Sequence, residues 1–524
     1  MLALGVAELV SGWWRSVPSL VVTVGDTVID EAPGQVVSTG IDLFGTNDKQ
    51  ALVVGIVVLC SVLGALTGVA ARRHPAVAPA AFGAFALLGV MAATATAGTS
   101  VPGAVALGAI AAGAGVLALR WMLGSAARLG TRGAPTEAQG RRRGAEDRPG
   151  TDRGAPPQSP SGPAPRRIFL VQAGLVALGA AFAGGLGRRL AGRFSVTDIR
   201  AGIELDPGPA PAPARSTAIV HRPAFPVPDL VDRVTSNDDF YRIDTAIVVP
   251  QVDPGQWQLD VTGLVRQPVS YTFDELVERA SFDDEVTLAC VSNDVGGDLV
   301  GNARWSGVPL RDLLEPAGVL PRGTQVVGLS VDGFTAGFPT ELALDGRPAI
   351  VAVGMNGEPL PVEHGFPARL VVSGLYGYVS ATKWLSEIRL TSFDEVDGYW
   401  IPRGWSKEAP VKVQSRIDTP RSGATLHAGR QAIAGVAWGQ PQGIQRVQVS
   451  VDGGPWSDAE LDDQATDHTW RQWYLPWQAT PGEHSLSVRA TNGSGRVQTS
   501  QRQGAVPDGA TGHHEVTVQV RSDA

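Results

Sequence analysis

Two cysteines in 524 residues leave little scope for a disulfide framework. Cys60 lies inside the apolar run ALVVGIVVLCSVLGALTGVAA, whereas Cys290 closes the stretch EVTLAC much further along, so the two are poor partners. Charge is sparse as well. Only 18% of residues are charged and the net charge is -8, which removes any global case for nucleic-acid binding. The eight histidines avoid the long apolar runs altogether, with His74 in a turn between two of them. A heme held among those runs is therefore disfavoured.

What the chain does have is long apolar stretches. Residues 51–71, 77–98, 102–123 and 168–187 each offer about 20 residues with almost no charge, enough to cross roughly 30 Å of hydrocarbon. Residues 124–167 carry nine arginines against four acids, and the turn RRHP at 72–75 is also basic, so both are expected in the cytoplasm. The first 49 residues hold two basic groups and six acids and fit outside, as an interfacial rather than a spanning segment. Four spans then place everything after Gly187 outside the cytoplasmic membrane, although Arg188, Arg189 and Arg193 pull the other way. The 124–167 loop has the composition of a disordered segment. It ends in PRRIFLVQAG, which reads either as an internal twin-arginine export signal or as a plain pair of basic anchors. The export reading implies a soluble part that folds around a cofactor before it crosses.

The linker 188–229 contains DPGPAPAPARSTA, an extended spacer. Over 230–405, WQLDVTGLV, ARLVVSG and SEIRLTS read as strands, while TFDELVERA and VPLRDLLEPAG read as short helices. Thr272 and Glu275 have capping-box spacing. This is an α+β domain. From 411 to 524 the pattern becomes alternating strands broken by Gly, Asn and Asp, the texture of a β-sandwich. Its tryptophans Trp438, Trp456, Trp470, Trp473 and Trp477 are expected to pack.

Cys290 is the residue that needs explaining. Taken alone, a cysteine after an apolar strand is either an inert buried thiol or a thiolate that does chemistry. The Gly296–Gly297 pair beyond it lets backbone approach a bulky ligand. The segments TLACVSND, ARWSGVPLRDLLEPAGV and MNGEPLPVEHGFPARLVVSGLYGYVSATKWLSEIRL, in this order, resemble the sulfite oxidase family of molybdenum enzymes. The resemblance spans about 235–520. It implies a molybdenum-molybdopterin cofactor in the α+β domain and an immunoglobulin-like C-terminal sandwich that serves dimerisation, hence a homodimer. It also implies Cys290 as a catalytic residue and metal ligand, in keeping with the preference of such a metal for soft sulfur. By the same resemblance His364, Arg369, Ala381, Thr382 and Lys383 bind the cofactor, with Asp238, Tyr241 and Arg242 from NDDFYRID and Asp332 from SVDGF. Arg369 suits a phosphate. Asp332 reads equally well as a turn residue.

The departures bear on function. Family members that oxidise sulfite carry an arginine shortly after the ligand cysteine and another in the upstream segment. Here those places hold Asp294 or Val295, and Ile243. A site short of these cations binds an anion such as sulfite poorly. The expected function is thus two-electron oxo transfer outside the membrane, on an S-oxide or N-oxide more than on sulfite. Its redox partner is a separate cytochrome- or quinone-linked component. Tyr399 is a candidate for substrate gating or merely for packing. The rival reading is a non-catalytic electron-transfer or docking subunit with a vestigial metal site.

Overall fold

The computed structural model describes residues 1–14, 17–32, 48–95, 99–130, 165–193, 195–205, 223–463 and 466–522, with a few positions between 36 and 44. Most of the 124–167 loop and all of the 206–218 spacer lie outside them, as do the side chains of Arg166 and Arg167. The chain divides into two compact units, Met1–Ser195 and Val196–Ala524.

The first unit is helical: α1 (Leu2–Trp13), α2 (Leu20–Glu31), α3 (Asp48–Ala71), α4 (Val77–Ala95), α5 (Val101–Gly130) and α6 (Pro165–Gly192). Four helices, α3 to α6, are long and apolar enough to cross a membrane. Helix α1 lies along α6 in the same direction, with Gly5 opposite Ala180 and Gly12 opposite Gly187. A Cβ on Gly5 would stand 2.4 Å from the Ala180 carbonyl oxygen, and one on Gly12 2.0 Å from that of Gly187. Small residues let the two backbones touch, a packing that apolar surroundings favour.

The second unit opens with two five-stranded sheets. One has the spatial order Val269–Thr272, Gln258–Gly263, Leu385–Thr391, Gln325–Ser330 and Thr335–Pro339. The other runs Phe282–Ala289, Val300–Pro309, Ala349–Met355 and Glu358–Pro359, with Arg369–Val372 also paired to Ala349–Met355. Between them, Thr272 caps the helix Phe273–Arg279 in a full capping box with Glu275. The helix Leu310–Ala317 takes Pro316 into its last turn and stops at Gly318, whose φ is 68°. Trp305 and Trp384 fill the core, and their indole N–H groups donate to the Val286 and Val362 carbonyls at 3.0 and 2.8 Å. The pairing of Phe282–Ala289 with Val300–Pro309 ends at Ala289 opposite Val300, so Cys290 begins the loop that joins them.

Residues 414–521 form two facing sheets, one of four strands and one of five. Ile433, Val447, Trp473, Leu486 and Val488 pack between them. Trp438 and Trp470 do not join that core. They pack into the core of the preceding α+β part.

Gly307 lies at the register shift where Val300–Pro309 meets Ala349–Met355, and a Cβ there would stand 2.2 Å from the Val351 carbonyl oxygen. Gly307→Ala is expected to cost about 1–3 kcal/mol, read as a lower Tm of the purified chain. Gly504→Ala, whose Cβ would meet nothing within 4 Å, is the unchanged control.

Candidate active site

The cleft lies where the loops of the two α+β sheets converge. It encloses about 730 Å3, open solvent at its mouth included, and Cys290, Tyr241, Asp332, His364, Arg369, Ala381 and Lys383 are on its wall. Seven of the eleven residues singled out from sequence therefore meet in one place.

Cys290 is 7% exposed and free of any disulfide. Its loop is closed tightly. The Cys290 N–H donates to the Leu299 carbonyl at 2.9 Å, the Asn293 N–H to the Cys290 carbonyl at 3.1 Å, and the Leu299 N–H to Asn293 Oδ1 at 2.9 Å. Burial pushes the thiol pKa up, while the Ser292 backbone N–H and hydroxyl and the Val291 N–H pull it back down. Those donors are oriented to favour a thiolate once a cation is present to share the charge. Among the described residues no cluster of three or more His, Cys, Asp or Glu exists that could hold a metal ion. A metal at Cys290 must therefore bring its other ligands with it, as a dithiolene cofactor does.

The same cleft is also lined by cations. Arg369 is 5% exposed, and its Nη1 donates only to a neutral partner, the His364 carbonyl at 3.1 Å, while the guanidinium lies 5.0 Å over the Trp305 ring. No carboxylate pairs with it among the described residues. Burial lowers its pKa to about 10. A buried guanidinium beside open space with no counter-charge is the donor set that a phosphate would satisfy bidentately. Lys383 is also buried, and burial lowers its pKa to about 8 against the opposing pull of Asp244, which its Nζ reaches at 2.7 Å. His364 donates from Nε2 to the Asn237 carbonyl at 2.8 Å, which assigns the proton to that nitrogen and leaves Nδ1 as an acceptor. Burial lowers its pKa to about 4. The residues present thus fit a molybdopterin phosphate and a thiolate-bound metal.

The remaining sequence candidates stand outside the cleft wall. Asp238 is exposed. Arg242 is exposed too and reaches the site only through Asp244, at 2.9 Å. Thr382 is fully buried, with its hydroxyl donating to the Gly328 carbonyl at 3.4 Å. Asp332 is on the wall, yet its Oδ1 accepts the Phe334 N–H at 3.1 Å, so it is a turn residue as well. The Tyr399 ring packs against Phe334 and under Arg403, off the cleft wall, and Trp400 takes the wall position beside it. A one-residue offset in a loop of consecutive aromatics is invisible to sequence patterning. Sequence reasoning also passed over Asp244, Phe334 and Tyr378. Asp244 carried a signal, since it is the first acid after the Arg242 that had been chosen.

His364 has a folded pKa near 4 against about 6.5 in an unfolded chain, so below pH 6.5 the unfolded state binds the extra proton and stability falls as pH drops toward 4. His364→Gln is expected to remove about 1.4 kcal/mol per pH unit of that slope between pH 6.5 and 4, measured by denaturant unfolding of the cofactor-free chain across that range.

Comparison with known proteins bears on the same region. The family model described as an oxidoreductase molybdopterin binding domain matches residues 246–400. Mitochondrial sulfite oxidase of Rattus norvegicus is 30% identical over 326 residues, covering 52% of this chain and 59% of the relative. That of Homo sapiens is 31% identical over 314 residues, covering 51% and 57%. The chain therefore spans a little under three fifths of the length of these curated relatives. Among solved structures, the sulfane dehydrogenase SoxCD from Paracoccus pantotrophus is similar at a TM-score of 0.46 and 25% identity, over 52% of this chain and 76% of that one. Residues 246–400 thus match the oxidoreductase molybdopterin binding domain, and the chain is similar to sulfite oxidases over about half of its length.

Proposed function

We propose that the protein is a membrane-anchored enzyme that transfers an oxygen atom and two electrons between molybdenum and a small uncharged oxide, an S-oxide or N-oxide in preference to sulfite. The observation that carries the reading is the presence, in one cleft, of a buried thiol and a buried guanidinium that has no carboxylate partner among the described residues. In this reading Cys290 ligates the metal, Arg369 holds the pterin phosphate, and His364, Lys383, Tyr241 and Ala381 shape the pterin seat. When bound, the molybdenum cofactor supplies the two-electron oxo chemistry.

The substrate preference follows from the rest of the wall. Ile243 stands where an arginine would draw an anion, and Phe334, Tyr378 and Trp400 add three aromatic faces. Arg369 is too deep to serve as a second anion anchor once a phosphate occupies it, and Lys383 is neutralised by Asp244. An apolar wall whose cations are already engaged suits an oxide whose one polar atom is its oxygen. Tyr241, whose pKa is raised chiefly by burial, stays a neutral hydroxyl and so remains able to donate a hydrogen bond to that oxygen.

The wider arrangement is part of the proposal. Helices α3 to α6 anchor the chain as four membrane spans, and the basic 124–167 stretch, with its twin-arginine-like start to α6, keeps that side cytoplasmic. The catalytic unit then lies outside the membrane and exchanges electrons with a separate cytochrome- or quinone-linked component. The C-terminal sandwich is read as immunoglobulin-like, and a homodimer through it is the family's arrangement.

The test is cofactor content and turnover of the full chain purified from a host that makes molybdopterin. The expected result is about one molybdenum per chain, reduction of a dialkyl sulfoxide or an N-oxide with an artificial electron donor, and sulfite turnover at least about tenfold poorer in kcat/KM. Cys290→Ala is expected to abolish turnover, and Arg369→Ala to lower pterin content by about tenfold or more. A wild-type chain free of molybdenum would overturn the enzyme reading, and faster sulfite oxidation would overturn the substrate assignment.

A further inference from the structure

The segment carrying Cys290 is gripped from outside its own sheet. Thr287, three residues before the cysteine, lies on the edge strand Phe282–Ala289. Its N–H donates to the His468 carbonyl at 3.0 Å, its hydroxyl accepts the Trp470 N–H at 2.7 Å, and its carbonyl accepts from Gln440 Nε2 at 3.4 Å. All three partners belong to the C-terminal part, and Trp470 and Trp438 complete the grip by packing into the α+β core.

The loop after the cysteine is gripped as well. Gly296 has φ of 83°, and a Cβ there would lie 2.3 Å from the His514 ring, so the ring rests flush on the loop backbone. The Ile417 N–H donates to His514 Nδ1 at 3.0 Å, which fixes the ring's orientation. One residue on, Arg416 Nη1 donates to the Gly297 carbonyl at 2.9 Å. Arg416 is 8% exposed and is itself held by Asp418 at 2.6 Å, whose side chain is 5% exposed. Burying an ion pair is costly, and this one directs its remaining donor at a single carbonyl of the cysteine loop.

We propose that the C-terminal two-sheet part positions the Cys290 thiolate, with Arg416 and His514 as the positioning residues that hold its loop. A metal bound to a single protein sulfur has one covalent tether to the chain, and the direction of that tether is set by the loop backbone. Holding the loop at 296–297 and the strand at Thr287 fixes the cysteine from both sides, as outer partners fix a metal ligand elsewhere. This rests on Cys290 being the metal ligand.

The test uses the full chain in a Cys60→Ser background, so that Cys290 is the sole thiol, with Arg416→Ala, Arg416→Lys and His514→Ala. In cofactor-free protein, amide hydrogen exchange over 290–299 and alkylation of the thiol are read directly. Arg416→Ala is expected to speed both by about tenfold, with Arg416→Lys between it and the parent and exchange in Gln325–Ser330 unchanged. In the loaded protein the sulfur-to-metal absorption band shifts and kcat falls by about tenfold while KM stays within about twofold. Parent-like exchange and alkylation in Arg416→Ala would overturn the proposal. If that variant loses its fold, His514→Ala decides by the same two readings, since it removes only a ring contact and one hydrogen bond. Because these readings need no cofactor, they separate a failure of the positioning role from a failure of the enzyme reading, which metal content alone decides.

Discussion

A guanidinium buried without a carboxylate is the constraint on which the site depends. Taking Arg369 out of water costs several kcal/mol, on the order of what a whole helix cap and several hydrogen bonds return. The fold meets part of that cost with the His364 carbonyl and the face of Trp305, and leaves the rest to whatever anion enters the cleft. Around it the neighbouring groups are arranged so that no second positive charge is added. His364 is kept neutral by burial and by the nearby charges of Arg369 and Lys383, against the opposing pull of its bond to the Asn237 carbonyl, and Lys383 is offset by Asp244. One strong anion anchor results, in the cleft that the Cys290 thiol also lines.

That arrangement also explains the division of labour between the two parts of the second unit. The α+β sheets supply the cleft, since the strand ends at Ala289 and Arg369 deliver a thiol and a guanidinium to one opening. The two-sheet part supplies rigidity to the segment that bears the thiol, through Thr287, Gly296 and Gly297. Trp438 and Trp470 serve the neighbouring core rather than their own, which is why this grip is firm.

Much of this was legible in the residues themselves. The four long apolar helices and the Thr272–Glu275 cap follow from patterns whose physics is local. The motif order around Cys290, His364 and Arg369 carries the resemblance to sulfite oxidases without any geometry. Other features depend on distance in space. Asp244 stands close to Arg242 in the string, but its pairing with Lys383 shows only in the fold, and the Arg416–Gly297 bond joins residues 119 apart in sequence. Tyr399 and Trp400 show the limit at finest grain, because nothing in the string distinguishes the one that packs from the one that faces the cleft. The stripe Gly5, Gly12, Ala180, Gly187 was present in the string too, but it reads as a helix contact only when both helices are considered together.

The account turns on Cys290 being the protein's own ligand to molybdenum. X-ray absorption at the molybdenum edge of the purified full chain, compared with Cys290→Ala, counts sulfur neighbours directly. The account predicts about three sulfurs in the wild type, two from the dithiolene and one from the thiolate, and about two in the variant. Equal sulfur counts in the two proteins would contradict it.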